Sequence, residues 1–596
     1  MRLKNIFWFT ILNYILWCLL SLKYYTTSGF FADFWGLAFM AAAIPGHLAM
    51  FAAGLLALTF LARAIGPRAA RAACVIFGTL FTLFFIIDIS VYSQYRFHIS
   101  MAMLELFFGP AGGEIFVFPA SMYAVMGVFG LLLVAGQFGL TVLANRINWG
   151  KKAVITVSVL TVLAVLLFNG IFAWGRFMAV PSVTGQVSYL PWANPVSLNS
   201  KLRKMGIEPK DRPYVVQESG TLNYPLAPLT CKNTSNLNVL LILVDSLRFD
   251  VFNESVMPNT FNRFVKDNGI YFANNLSGGN ATQAGVFSLF YALPSTYWNE
   301  FTSEHKPPVL MTEFMAQGYD MAIYSSGKLN SPEFHKNIFS DIKNLRIESQ
   351  GPDKYDRDID MQRDFTNFIL NRDGKKPFFG FLFYDSAHGF TYPPGFTEKF
   401  IPSKDLNYLT LTASTDPTPY MNRYKNSVHF IDSKLGELFA ALEVKGLDKN
   451  TVIIITGDHG QEINDTGNSF WGHNSNFTKY QTKTPLVIFW PGKKGAEVSY
   501  RTSHYDIVPT IMQDALGCTN PAGDYSIGMN LFDTTPRGYS LVISYTNKAI
   551  VVDDKVSVLN NYGSLDSYDD NYKKIDGTVN PKAIGEALKT MSKFYK

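Results

Sequence analysis

Apolar residues are not spread evenly through this 596-residue chain; they are gathered into five long runs before about residue 180. The runs cover about 6–22, 35–61, 72–92, 122–143 and 153–174. Each can supply the ~20 apolar residues needed to cross a hydrocarbon core ~30 Å thick, so five membrane-spanning helices are predicted. No small-residue cleavage site follows the first run, which reads as a span and not as a removed signal. A buried soluble helical core is excluded by the length of the runs and the near absence of charge within them. Asp88 is the main exception, close enough to the end of the third run to reach the interface.

Arg63, Arg68 and Arg71 crowd the second connection, and Arg146, Lys151 and Lys152 the fourth. The other two hold little positive charge, Lys23 in one and Arg96 in the other. With Arg2 and Lys4 at the start, the positive-inside rule predicts a cytoplasmic N-terminus. Five crossings then carry everything after about residue 175 to the outside. Six Asn-x-Ser/Thr sequons follow, at Asn233, Asn253, Asn275, Asn280, Asn464 and Asn476. In a eukaryotic secretory pathway these would be glycan acceptors. One of them lies two residues from a candidate nucleophile, so the expected setting is a bacterial inner membrane with a periplasmic C-terminal domain. The net charge of +5 is modest, and no basic repeat argues for a nucleic-acid partner. Of four cysteines, Cys231 and Cys518 fall in the soluble part, where one disulfide is compatible with the spacing but not dictated by it.

The organisation expected is a transmembrane domain over 1–175, a connector over 176–236 and an α/β domain over 237–596. The connector is rich in Pro, Ser and Asn and holds Lys201, Arg203 and Lys204. These would lie near the outer membrane surface, where they suit lipid phosphates or equally a solvated helix end.

From residue 237 onward, strand-like runs at 238–244, 319–324, 378–384, 452–456 and 485–490 alternate with helical segments near 258–268, 308–317, 359–371 and 422–445. That order predicts a doubly wound, largely parallel sheet. In such sheets the chemistry sits beyond the carboxyl ends of the strands. Asp245 follows the first run, His388 the third, Asp458 and His459 the fourth, and His473 comes shortly after. Carboxylate oxygen and neutral imidazole together suit a zinc- or manganese-like divalent ion. Thr282, after Ser277-Gly-Gly-Asn-Ala, would stand at the amino end of a helix. There the helix dipole favours an anion and a metal can activate the hydroxyl; the simpler role is an N-cap.

These motifs resemble the sulfatase-like, alkaline-phosphatase-superfamily domains of bacterial phosphoethanolamine and phosphoglycerol transferases. The match rests on Asp245, Gly-Asn-Ala-Thr282, Ser-Ala-His388-Gly, Gly-Asp458-His459-Gly and Ser503-His-Tyr-Asp-Ile-Val-Pro-Thr510. The resemblance implies that Asp245, Asp458, His459 and the Thr282 oxygen ligate a divalent metal, zinc or manganese before magnesium. Thr282 would be the nucleophile, and His388 and His473 would hold the phosphate or protonate the leaving group. Aspartate at 245 stands where these transferases commonly carry glutamate, one methylene longer. The Cys/Ser-x-Pro-x-Arg motif of true sulfatases does not surround position 282, which argues against sulfate-ester hydrolysis by a formylglycine route.

Two functions follow as expectations. One is a membrane-anchored phosphatase or phosphotransferase acting on phospholipid or lipopolysaccharide headgroups. The other is a non-catalytic lipopolysaccharide sensor that governs envelope lipid synthesis through an inner-membrane regulatory protein. The retained carboxylates and histidines favour the enzyme, since uncompensated buried charge destabilises a scaffold.

Overall fold

The computed structural model describes residues 2–29, 31, 33–100, 104, 108, 120–178, 180–196, 198, 205, 220–232, 235–407, 410–560, 564–576 and 580–596. Lys201, Arg203 and Lys204 lie outside the described residues. The chain divides into two compact units, Met1–Pro213 with Asn560–Leu565, and Tyr214–Leu559 with Asp566–Lys596.

The first unit is a bundle of five helices long and apolar enough to cross a membrane. They are α1 (Leu3–Ser28), α2 (Phe34–Ile65), α3 (Pro67–Tyr95), α4 (Ala120–Arg146) and α5 (Lys151–Phe177). Each predicted span falls inside one of them, the helices running several residues further because their flanking polar turns also close i→i−4 bonds. Within the bundle, Gln137 Nε2 donates to Asn13 Oδ1 at 2.7 Å and to Thr82 Oγ1 at 3.1 Å, and Trp17 Nε1 donates to the same Thr82 oxygen at 3.0 Å. Polar groups with no water to meet find one another. Asp88, expected near the interface, meets its partners within the protein. It is fully buried and accepts from Tyr24 Oη, His98 Nδ1 and the Ile99 amide, each at 2.7 Å. Three donors on one carboxylate replace the water that the interface would have supplied.

The second unit is built on a seven-stranded, mainly parallel sheet. Its strands are β1 (Asn238–Val244), β2 (Ile270–Phe272), β3 (Asp320–Ser325), β4 (Phe378–Tyr384), β5 (Thr451–Gly457), β6 (Leu486–Phe489) and β7 (Ala496–Val498), in the order β7-β2-β6-β5-β1-β4-β3. Central β1, Asn-Val-Leu-Leu-Ile-Leu-Val, is buried at every position. Its residues alternate between two cores, because successive side chains of a strand point to opposite faces. Leu241 and Leu243 join Val286, Phe287 and Phe290 of helix α6 (Thr282–Tyr291). Leu240, Ile242 and Val244 join Phe365 of α7 (Lys354–Asn371) and Ile431 and Leu435 of α8 (Thr418–Val444). A sheet covered on both faces is the doubly wound arrangement. Beyond it, five short antiparallel strands between Ser540 and Ile575 form a second sheet. Cys231 and Cys518 are joined by a disulfide, linking residues 287 apart in sequence.

Candidate metal centre and nucleophile

Strand register brings the acidic residues together. Val244 pairs with Gly457 on one side and with Tyr384 on the other. The next residues, Asp245, Asp458 and Asp385, therefore leave three adjacent parallel strands at one level, the edge where strand ends and loops form a crevice. Asp458 is fully buried. Its Oδ1 accepts the amides of Ser246 and His459, both at 2.9 Å. Ser246 adopts a left-handed φ of 64° between these partners; its Oγ donates to Asp245 Oδ1 at 2.8 Å and its carbonyl accepts from Tyr424 Oη at 2.7 Å. A non-glycine residue is held in that conformation by three hydrogen bonds, the sort of local strain that collects at functional sites.

His459 is fully buried, and its Nδ1 donates to the Gly460 carbonyl at 2.7 Å. The lone pair is thereby fixed on Nε2, which faces Thr282 Oγ1 at 3.2 Å, Asp458 Oδ2 at 3.3 Å and Asp245 Oδ1 at 3.8 Å. Burial lowers the His459 pKa to about 4, so the ring is neutral. Thr282 opens α6 and its Oγ1 lies 3.4 Å from Asp245 Oδ2. One turn on, Gly285 lets this helix press against Asp458: a Cβ there would stand 2.2 Å from the Asp458 carbonyl oxygen.

Asp245, Asp458 and His459 present ligand atoms within 4.8 Å of one another. Asp458 Oδ2 is buried with no hydrogen-bond donor among the described residues. Burial, and then the Asp245 charge, push its carboxyl well above the ordinary carboxylate range. A buried acceptor without a donor, a second carboxylate and an imidazole lone pair converging on it make a donor set that suits a divalent cation.

His388 and His473 complete the constellation. Their rings lie 5.3 Å apart, and His473 lies 4.3 Å from His459, centroid to centroid. Burial works to lower the His388 pKa, but the Asp245 charge and the Asp385 contact outweigh it and hold it above the usual histidine value. Burial, with positive charge from His388 and Lys354 nearby, holds His473 well below that value. His388 Nδ1 meets Asp385 Oδ1 at 3.1 Å, and Lys354 Nζ pairs with the other Asp385 oxygen. Asp245, Asp385 and His388 also bring ligand atoms within 4.8 Å.

Asp385 and Lys354 are absent from the sequence-based set. Asp385 carries a readable signal, being the residue after a buried strand, as Asp245 and Asp458 are. Lys354 carries none, since it arrives from the first turn of α7. Behind the site, buried Arg248 pairs with Asp250 and Asp465 and donates to the Gln461 carbonyl at 3.1 Å, while His473 Nδ1 meets Gln461 Oε1 at 3.2 Å.

Residues 237–517 match the family model described as Sulfatase. The C-terminal domain is sulfatase-like. Residues 2–231 match a second model, a domain of unknown function designated DUF3413. With the membrane helices included, the chain is 26% identical to the inner membrane protein YejM of Salmonella typhimurium over 588 residues, 95% of this chain and 93% of that one. The phosphoethanolamine transferase EptA of the same organism is 22% identical over 271 residues, 45% of this chain and 48% of that one. Among solved structures, a Vibrio parahaemolyticus protein of the alkaline phosphatase superfamily covers 61% of this chain and 88% of its own, with a TM-score of 0.46 and 17% identity. The sulfatase-like domain thus sits in a chain whose YejM-type architecture extends through the membrane helices.

Proposed function

We propose that this protein is a membrane-anchored, metal-dependent phosphatase or phosphotransferase acting on envelope lipid headgroups, with Thr282 as nucleophile. The observation that carries the reading is the position of Thr282 Oγ1. It lies at the amino end of a helix, 3.2 Å from the His459 lone pair and 3.4 Å from an Asp245 oxygen, beside three metal-type ligand atoms. Asp245, Asp458, His459 and Thr282 would hold zinc or manganese, or magnesium, which when bound offsets the paired carboxylates and lowers the hydroxyl pKa. Thr282 Oγ1 releases its proton to solvent and bonds to phosphorus as the bond from phosphorus to the leaving oxygen breaks. His388 and His473 orient the phosphate oxygens, and the protonated one of the pair gives its proton to the leaving oxygen. Water or an acceptor hydroxyl then displaces Thr282 from phosphorus. The setting we infer is a bacterial inner membrane, with the N-terminus cytoplasmic and this domain periplasmic; the basic connections support it.

Likeness to YejM along 95% of the chain supports a second reading, in which the domain senses lipopolysaccharide and instructs a membrane partner, with Lys201, Arg203 and Lys204 on lipid phosphates. One experiment separates the two. Purified protein is assayed for bound zinc and manganese and for turnover of a chromogenic phosphodiester and a phosphomonoester, wild type against Thr282→Ala. The enzyme reading expects about one metal per chain and loss of turnover by a factor of ~10³ or more in a folded variant. Substoichiometric metal, or turnover unchanged by the substitution, defeats it.

A further inference from the structure

In the membrane unit, α3 and α4 enclose a cleft of 270 Å³ lined by Arg71, Phe138, Thr141, Val142, Asn145 and Arg146. Arg71 belongs to the beginning of α3 and Arg146 closes α4, so two guanidinium groups from different helices face one opening at one end of the bundle. Neither has a carboxylate partner among the described residues, and the sequence places none nearby: there is no Asp or Glu in 1–32, 34–87 or 115–206. The sequence around this end also supplies Arg2, Lys4, Arg63, Arg68, Lys151 and Lys152. Asn145 Oδ1 is taken by Asn5 Nδ2 at 2.5 Å, which turns the Asn145 amide toward its donor role. Val142 and Phe138 lie about one and two turns further into α4, 39% and 54% exposed, and extend the cleft from the arginines toward the middle of the bundle. Charge at the rim and an apolar wall running inward match one kind of ligand, a phosphate carrying an acyl chain.

We propose that this cleft binds an anionic phospholipid, its phosphate on Arg71 and Arg146 and one acyl chain along Phe138 and Val142. Planar guanidinium groups bind phosphate through paired N–H donors, which a lysine cannot reproduce. The site is separate from the Thr282 chemistry and stands whether or not that chemistry occurs.

The test is native mass spectrometry of the full-length protein in detergent with added phosphatidylglycerol. R71Q/R146Q is expected to lower the lipid-bound fraction about tenfold. R71K/R146K should give an intermediate loss, and R63Q/R68Q, which removes the same charge from the adjoining connection, little change. Unfolding curves establish that each variant is folded; should R71Q/R146Q fail to fold, the lysine pair and single R146Q carry the comparison. Equal losses in the two glutamine pairs would mean diffuse attraction, and no loss would mean no site; either overturns the proposal. Displacement by millimolar inorganic phosphate, or equal occupancy by phosphatidylcholine, would equally overturn an anionic-lipid site.

Discussion

Gly285→Ala is the most informative single change in the sulfatase-like domain. The added Cβ would sit 2.2 Å from the Asp458 carbonyl oxygen and 2.8 Å from its carbon, where ordinary contact begins at 3.4 Å. Both atoms are backbone, anchored directly after fully buried β5, so α6 has to give by roughly 1 Å. Overpacking of this kind typically costs about 1–3 kcal/mol. In a domain this large each kcal/mol lowers Tm by about 2–4 °C. The larger effect falls on Thr282, which opens the displaced helix one turn before Gly285; a misplacement of ~1 Å at a reacting group can cost about 10²-fold in rate. Calorimetry, metal analysis and turnover on the same preparation would read all three. Expected are a Tm lower by several degrees, weaker metal retention and turnover reduced more than stability accounts for. Unchanged Tm would refute the tight contact. A lower Tm with unaltered metal content and turnover would refute the claim that this contact sets Thr282 against Asp458.

Metal removal should give the domain a pH dependence. Asp458 holds its proton above the ordinary carboxylate range because of burial and Asp245. The folded apo state therefore binds more protons than the unfolded chain, and its stability is lost as pH rises from the usual carboxylate pKa through the raised folded one. Chelated protein should show Tm falling over that interval, and loaded protein a much flatter profile, by thermal scans at stepped pH. Arg248→Met leaves Asp465 without its buried counter-ion and should cost about 3–5 kcal/mol in urea unfolding, far more than the loss of an exposed pair.

The parts of the fold legible in sequence are those where one physical demand dominates. Five runs too apolar and too long for water became α1 to α5, and the β-rich runs at 238–244, 378–384 and 452–456 became the sheet centre, where both faces are covered. The strand Ile270–Phe272 and the edge strand Ala496–Val498 beside it were not legible, being three residues each and partly exposed. The second sheet was missed because strands such as Lys555–Asn560 mix charge and apolar residues over short lengths, and pairing with neighbours decides their state. Within the site, Asp245, Thr282, Asp458 and His459 were readable from strand-end and helix-start positions. Lys354 was not, since long-range packing alone brings it to Asp385. Asp88 shows the same limit: its donors come from Tyr24 and from the segment after α3, contacts that hydropathy does not encode.

The sequons acquire a different meaning in three dimensions. Asn275, Asn280, Asn464 and Asn476 are all buried, and each spends its side-chain amide internally: on Thr484, the Asn476 carbonyl, the Ala413 carbonyl and Glu462 respectively. A sugar attached to any of them during synthesis would have to displace a buried internal partner, and at Asn275 and Asn280 it would do so within the segment that leads to Thr282. Production of this chain in yeast or animal secretory cells should therefore yield material whose folding worsens with sequon occupancy, and Asn→Gln would be a poor remedy because the amides are structural. Removing the hydroxyl residue two positions later is no gentler: Ser277 Oγ donates to the Asp458 carbonyl, Thr466 and Thr478 donate to Glu462, and after Asn280 that residue is Thr282 itself.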